Sequence, residues 1–128
     1  MPYPWTVAVV DDDREARLSL ASLLRSYGVK VEVFASAEAF LRTPHLAAFD
    51  CLITDVHMSD MDGLEMIGAL RNLRGPLPVI VISALDEQRT RARATAKGAD
   101  AFLSKPVDSD ALIGVMLRLL GDGGRPTD

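Results

Sequence analysis

The sequence predicts an α/β fold in which a five-stranded parallel sheet is covered by helices on both faces. Three observations carry that expectation. Five short β-branched runs alternate with stretches of helical spacing, the first, third and fourth runs are apolar almost throughout, and acids, a hydroxyl and a lysine stand where the runs end.

Taken in order, "TVAVV" at 6–10 has the length and composition of a buried strand, and the acids of "DDD" at 11–13 end it. Ala16, Leu20, Leu23, Leu24 and Tyr27 then recur at helical spacing and make one apolar stripe, which Gly28 closes. "VKVEVF" at 29–34 alternates polar with apolar residues, which suits an edge strand. Ser36 stands as the N-cap of the "SAEAFL" segment. "CLIT" at 51–54 and "PVIVI" at 78–82 read as central strands, and "AFL" at 101–103 as the last strand. Gly98 follows the helical stretch before that strand. Asp108 caps the final helix, whose stripe is Leu112, Val115, Met116, Leu119 and Leu120 and whose stop is Gly121. Residues 1–121 form one expected domain, and 122–128, "DGGRPTD", read as a flexible tail or the start of a linker.

The totals exclude several classes of function. The 128 residues are 48% hydrophobic, enough for one cored domain and too few to expect two. A net charge of −4 offers no overall attraction to nucleic acid, so direct nucleic-acid contact by this domain is not expected. The lone Cys51 excludes an internal disulfide and a multi-cysteine metal site. With no stretch near the roughly 18 apolar residues of a membrane span and no signal-peptide pattern, the expected location is the cytoplasm, away from any membrane.

Ligands of open parallel sheets gather beyond the carboxyl ends of the strands. Here those ends carry Asp11, Asp12 and Asp13, then Asp55, then Ser83, then Lys105. Crowded carboxylates repel by about 4 kcal/mol per pair at about 4 Å with an effective dielectric near 20, so the cluster calls for a cation. An all-oxygen donor set without His or Cys favours a hard ion, Mg²⁺ above all. Lys105 and Ser83 facing such an ion are what a phosphoryl group requires: charge compensation and a directing hydrogen bond. Asp55 is then the nucleophile that accepts it as an aspartyl phosphate.

The motifs "VVDDD", "LITDVHMSDMDGLE", "VIVISA" and "KGADAFLSKPV", in that order, resemble the response-regulator receiver domain of bacterial two-component signalling, from residue 6 to about 120. The resemblance implies a flavodoxin-like (βα)5 fold with strand order 2-1-3-4-5, an order it supplies and composition does not. It further implies that Asp55 takes phosphate from the phosphohistidine of a sensor histidine kinase or histidine phosphotransfer protein. Asp12 would bind Mg²⁺ directly, Asp11 mainly through water, and Asp55 and the His57 backbone carbonyl would complete the protein's share. Lys105 would pair with a phosphoryl oxygen, Ser83 would be the switch hydroxyl, and Phe102 the aromatic side chain that swings inward behind it. The surface of the fourth helix, fifth strand and fifth helix would then change, control a downstream partner or output domain, and serve for a homodimer on activation. The Lys105–Pro106 peptide would be cis. His57 and Leu85 fill the positions that modulate autodephosphorylation. Ser59 stands where most relatives have proline, which loosens the loop by about 0.4 to 1 kcal/mol. The "SAEAFL" segment is similar to receivers that precede a helix-turn-helix transcription domain.

Several residues have plain structural readings. Asp13 is expected as the cap of the first helix, and Asp60 and Asp62 as parts of a turn ending at Gly63. Arg89, Arg91, Arg93 and Lys97, with Ala92, Ala94 and Ala96 between them, read as a solvated helix with a small inner face. Trp5 reads as part of a terminal strap. Two competing functions are an unphosphorylated pseudo-receiver that only binds partners, whose expected mark is a missing acid or lysine, and a Mg²⁺-dependent phosphohydrolase. The second would carry an acid two residues after its nucleophile, where this chain has His57. The leading expectation is a phosphoacceptor signalling domain whose only chemistry is its own phosphorylation and dephosphorylation.

Overall fold

The structure, a computed structural model, describes residues 3–58, 61–84 and 88–121. Five strands, β1 (Thr6–Val10), β2 (Lys30–Phe34), β3 (Cys51–Asp55), β4 (Val79–Ser83) and β5 (Ala101–Ser104), form one sheet in the order β2-β1-β3-β4-β5, with every pairing parallel. Between and after them run α1 (Arg14–Ser26), α2 (Ala37–Leu41), α3 (Gly63–Leu73), α4 (Gln88–Lys97) and α5 (Ser109–Leu120), with a short 3₁₀ turn at Leu46–Ala48. The alternating run is at an edge and the apolar first, third and fourth runs are central, as the sequence predicts. An edge strand has one neighbour and tolerates polar residues, whereas a central strand is buried on both faces.

Strand alternation divides the core in two. Ala8, Val10, Leu52, Val79 and Val81 face α2, α3 and α4, together with Phe34, Phe40, Phe49, Leu64, Ile67 and Leu70. Val7, Val9, Ile53, Ile80 and Ile82 face α1 and α5, together with Leu24, Leu112 and Met116. Helix starts use the predicted caps: the carboxylate of Asp13 accepts from the Glu15 amide, Ser36 Oγ from the Ala39 amide, and the Asp108 carboxylate from the Ala111 amide. Gly28, Gly98 and Gly121 all have positive φ, and the Lys105–Pro106 peptide is cis. Among the described residues, no helix is long and apolar enough to cross a membrane.

Three structural readings are corrected. Trp5 is no strap: its side chain is buried in the α1–α5 core and stacked on Tyr3 with ring centroids 4.4 Å apart. The inner face of α4 is Thr90 and Ala94, whereas Ala92 and Ala96 are exposed, because a 3.6-residue period brings only positions four apart back to the sheet. Asp62 does more than turn the chain. It forms a reciprocal capping box with Glu65 at the start of α3. Ser59, Asp60, Leu85 and 122–128 lie outside the described residues.

Candidate functional site

Alternation brings the site together. Asp11 lies two residues beyond Val9, Asp55 two beyond Ile53 and Lys105 two beyond Leu103, so all three continue the α1–α5 face past the carboxyl ends of their strands. Asp55 pairs in register with Ile82 of β4, and β5 lies one strand further on. Lys105 therefore reaches across β4 to the acids, a span that its four-carbon stem covers.

Lys105 Nζ donates to Asp11 Oδ2 and to Asp55 Oδ2, each at 3.1 Å. The remaining carboxylate oxygens are also held: Asp55 Oδ1 accepts from the Val56 amide at 2.7 Å and Asp11 Oδ1 from the Asp13 amide at 3.0 Å. Both carboxylates are thus fixed in orientation. The side chain of Asp11 is only 9% exposed and that of Asp55 13%. Burial pushes the Asp11 carboxyl above the ordinary carboxylate range, against the opposing pull of the Asp13 amide and Lys105. Burial also works against the charged form of Lys105, but its hydrogen bonds and attraction to Asp55 and Asp11 outweigh that, and its pKa is raised. The ammonium stays charged across the physiological range.

The other predicted residues are distributed around this centre. Asp12 is exposed and faces a second, smaller cavity lined also by Ser36, Glu38, Met58 and Met61. His57 is exposed two residues beyond Asp55. Ser83 is fully buried at the end of β4 and its carbonyl accepts from the Lys105 amide at 2.9 Å. Its side chain follows Val79 and Val81 onto the α2–α4 face, the same face as Phe102. The structure therefore joins Asp11, Asp55 and Lys105, leaves Asp12 exposed at a separate cavity, and holds Ser83 on the other side of the strand end. Among the described residues, no three His, Cys, Asp or Glu side chains are gathered as a metal-holding group. The donor chemistry nevertheless fits a hard cation. The buried Asp11 carboxylate and the largely buried Asp55 carboxylate converge on one ammonium, Asp12 follows Asp11 in the chain, and burial keeps the Asp11 pKa raised despite Lys105.

Some contributors were not legible in the sequence. Arg17 Nη1 donates to the Asp11 carbonyl at 2.8 Å and pins the end of β1 to α1. The guanidinium of Arg91 lies over the Phe102 ring, with Cζ 4.5 Å from its centroid. Both are contacts of long, charged side chains whose positions depend on where helices dock, and no spacing in the chain announces them. A cavity of about 330 Å³ also opens beside the acids, lined by Ala16, Leu20, Leu23, Ile53, Ile82 and Val107.

Comparison with known proteins gives one consistent result. The family described as the response regulator receiver domain matches residues 7–116. The response regulator protein TodT of Pseudomonas putida is 36% identical over 110 residues, which is 86% of this chain and 48% of that protein. Among solved structures, FixJ-N superposes with a TM-score of 0.83 at 35% identity, covering 90% of this chain and 92% of that one. The chemotaxis protein CheY4 of Vibrio cholerae also superposes at 0.83, with 28% identity and coverage of 91% and 98%. The chain spans about half the length of the curated relatives TodT and FixJ.

Proposed function

The chain belongs to the response regulator receiver family, and from that premise we propose that it is a phosphorylation-controlled switch with Asp55 as the phosphoacceptor. The observation that carries this reading is the meeting of Asp11, Asp55 and Lys105, from the carboxyl ends of three separate strands, with Lys105 3.1 Å from each acid. A carboxylate oxygen of Asp55 bonds to phosphorus as the bond from phosphorus to the donor's imidazole nitrogen breaks, and that nitrogen takes up a proton. Lys105, charged and already in contact with Asp55, follows the phosphoryl oxygens. Mg²⁺ would be held by Asp11, Asp12, Asp55 and the His57 carbonyl, and when bound it supplies positive charge against the phosphoryl oxygens.

The phosphodonor is a histidine kinase or histidine phosphotransfer protein. Leu18, 40% exposed on α1, and the apolar cavity at the foot of that helix favour a partner that approaches over α1. Ser83 then turns from its buried position toward the phosphoryl group, and Phe102 turns in behind it. The altered α4–β5–α5 surface acts on a downstream protein or an output domain and provides the homodimer contact. His57 and Leu85 control access of the water that ends the signal. The domain acts on no separate substrate.

Intact-mass measurement after incubation with acetyl phosphate tests the reading. One phosphoryl adduct that requires Mg²⁺ and is absent from Asp55→Asn is the expected result. A wild-type chain with no adduct, or an adduct that survives Asp55→Asn, overturns it.

A further inference from the structure

Helix α4 is weakly tied to the rest of the domain. Its buried residues are Thr90 and Ala94, both small, so little apolar surface holds it to the sheet. It also carries Arg89, Arg91, Arg93 and Lys97 with no acid between Gln88 and Lys97, and the pairs 89/93 and 93/97 stand four residues apart, where like charges repel. Against that background a specific contact from α4 to β5 has leverage. The contact is Arg91 over Phe102, at 4.5 Å from guanidinium carbon to ring centroid. This is within the range where a ring face attracts a cation.

Phe102 is well placed for that leverage to reach the site. It lies opposite Val81 in the β4–β5 register, and Ser83 lies opposite Ser104. Ser83 and Phe102 are therefore diagonal neighbours on one face of the sheet, and the ring packs half-buried against the α2–α4 core. A serine hydroxyl withdrawn toward Asp55 leaves room on the ring's own face. A ring that moves into that room leaves the guanidinium.

We infer that Arg91 is a latch on Phe102: its guanidinium, stacked on the ring, holds the aromatic side chain at the α4–β5 surface and opposes the switch. The inference rests on the reading that phosphorylation at Asp55 is relayed through Ser83 and Phe102. Arg91 acts on the switch through the Phe102 ring, so it is a positioning residue. The stacking exists only while the ring stays at the α4–β5 surface, so the stacking favours that state, and a ligand of the inward state binds more weakly because of it. The contact at an exposed site is worth about a two- to fivefold shift in that equilibrium.

The test is the affinity of the intact chain for beryllofluoride in the presence of Mg²⁺, a phosphoryl stand-in whose bound fluorides are followed by fluorine NMR. Arg91→Gln is expected to tighten binding about two- to fivefold, and Arg91→Lys less. Arg93→Gln, which removes the same charge from the solvent side of α4, is expected to leave it unchanged. In a Phe102→Leu background the Arg91→Gln effect disappears, because the ring through which it acts is gone. Unchanged or weaker binding in Arg91→Gln, equal tightening in Arg93→Gln, or an effect that persists without the ring overturns the latch alone. A wild-type chain that binds no beryllofluoride overturns the switch reading and the latch with it.

Discussion

At Asp11, burial and charge oppose each other. Burial raises its pKa, so the folded state holds the Asp11 proton more tightly than the unfolded chain does. Its contribution to stability is fully present below the ordinary carboxylate pKa and is lost as pH rises through the raised folded value. At neutral pH the ionised side chain is thus a net cost, only partly offset by Lys105. In chelator at pH 7.5, Asp11→Asn is expected to melt a few degrees higher than wild type, with a gain that shrinks as pH falls into the carboxylate range. Thermal melts at several pH values check this, and a variant that is less stable than wild type at pH 7.5 contradicts it. Lys105 follows the same sign, but its window lies in the lysine range, so at neutral pH its charge stabilises the fold. Its raised pKa contributes stability that is fully present below the ordinary lysine value and is lost as pH climbs through the folded value. Complete burial pushes the Cys51 thiol well up and keeps it protonated.

At the level of elements, the start of α3 sets the position of the end of β3. The Gly63 amide donates to the Val56 carbonyl at 2.9 Å, and a Cβ at Gly63 would collide with the Asp55 carbonyl oxygen, so helix and strand end approach as closely as backbone permits. The Asp62–Glu65 capping box holds that helix start in place with bonds of 2.8 and 3.0 Å. Asp62→Ala is expected to cost about 1 kcal/mol, read as a lower urea midpoint with unchanged slope. No loss of stability would mean that packing alone positions α3. The capping pattern D-x-x-E was present in the sequence. An acid just before a glycine reads equally well as a turn, so the pattern alone does not reveal Glu65 as its partner. Helix α4 was legible as polar and solvated, but the two residues that reach the core depend on its rotation about its own axis, which a helix rich in arginine and alanine leaves open.

For the molecule as a whole, the two cores are unequal in how they close. The α2–α4 side is sealed by three phenylalanines in mutual contact, Phe34, Phe40 and Phe49, with centroids 5.4 to 5.9 Å apart. The α1–α5 side is closed at its lower end by Trp5, wholly buried, whose indole Nε1 finds no hydrogen-bond partner among the described residues. Trp5→Ala is expected to cost about 3–5 kcal/mol, a large share of the roughly 5–15 kcal/mol that holds such a domain together. Trp5→Phe loses much less, since it also removes the orphaned donor. Equilibrium unfolding followed by circular dichroism checks both, and equal stability of Trp5→Ala and wild type would return Trp5 to the role of a loose strap.

Periodicity and composition determined the element order, the central and edge strands, the helix caps at Asp13, Ser36 and Asp108, and the set of residues at the strand ends, because each depends on a few neighbours along the chain. Alternation has a period of two, so the sequence also carried the information that Asp11, Asp55 and Lys105 share a face. Tertiary structure alone decided that Lys105 bridges Asp11 and Asp55, that Ser83 is buried on the opposite side, that Trp5 belongs to the core and that Arg91 lies on Phe102. Those outcomes depend on how strands 50 and 94 residues apart stack in register and on how helices rotate as they dock. Long-range packing sets these, and no local pattern encodes them.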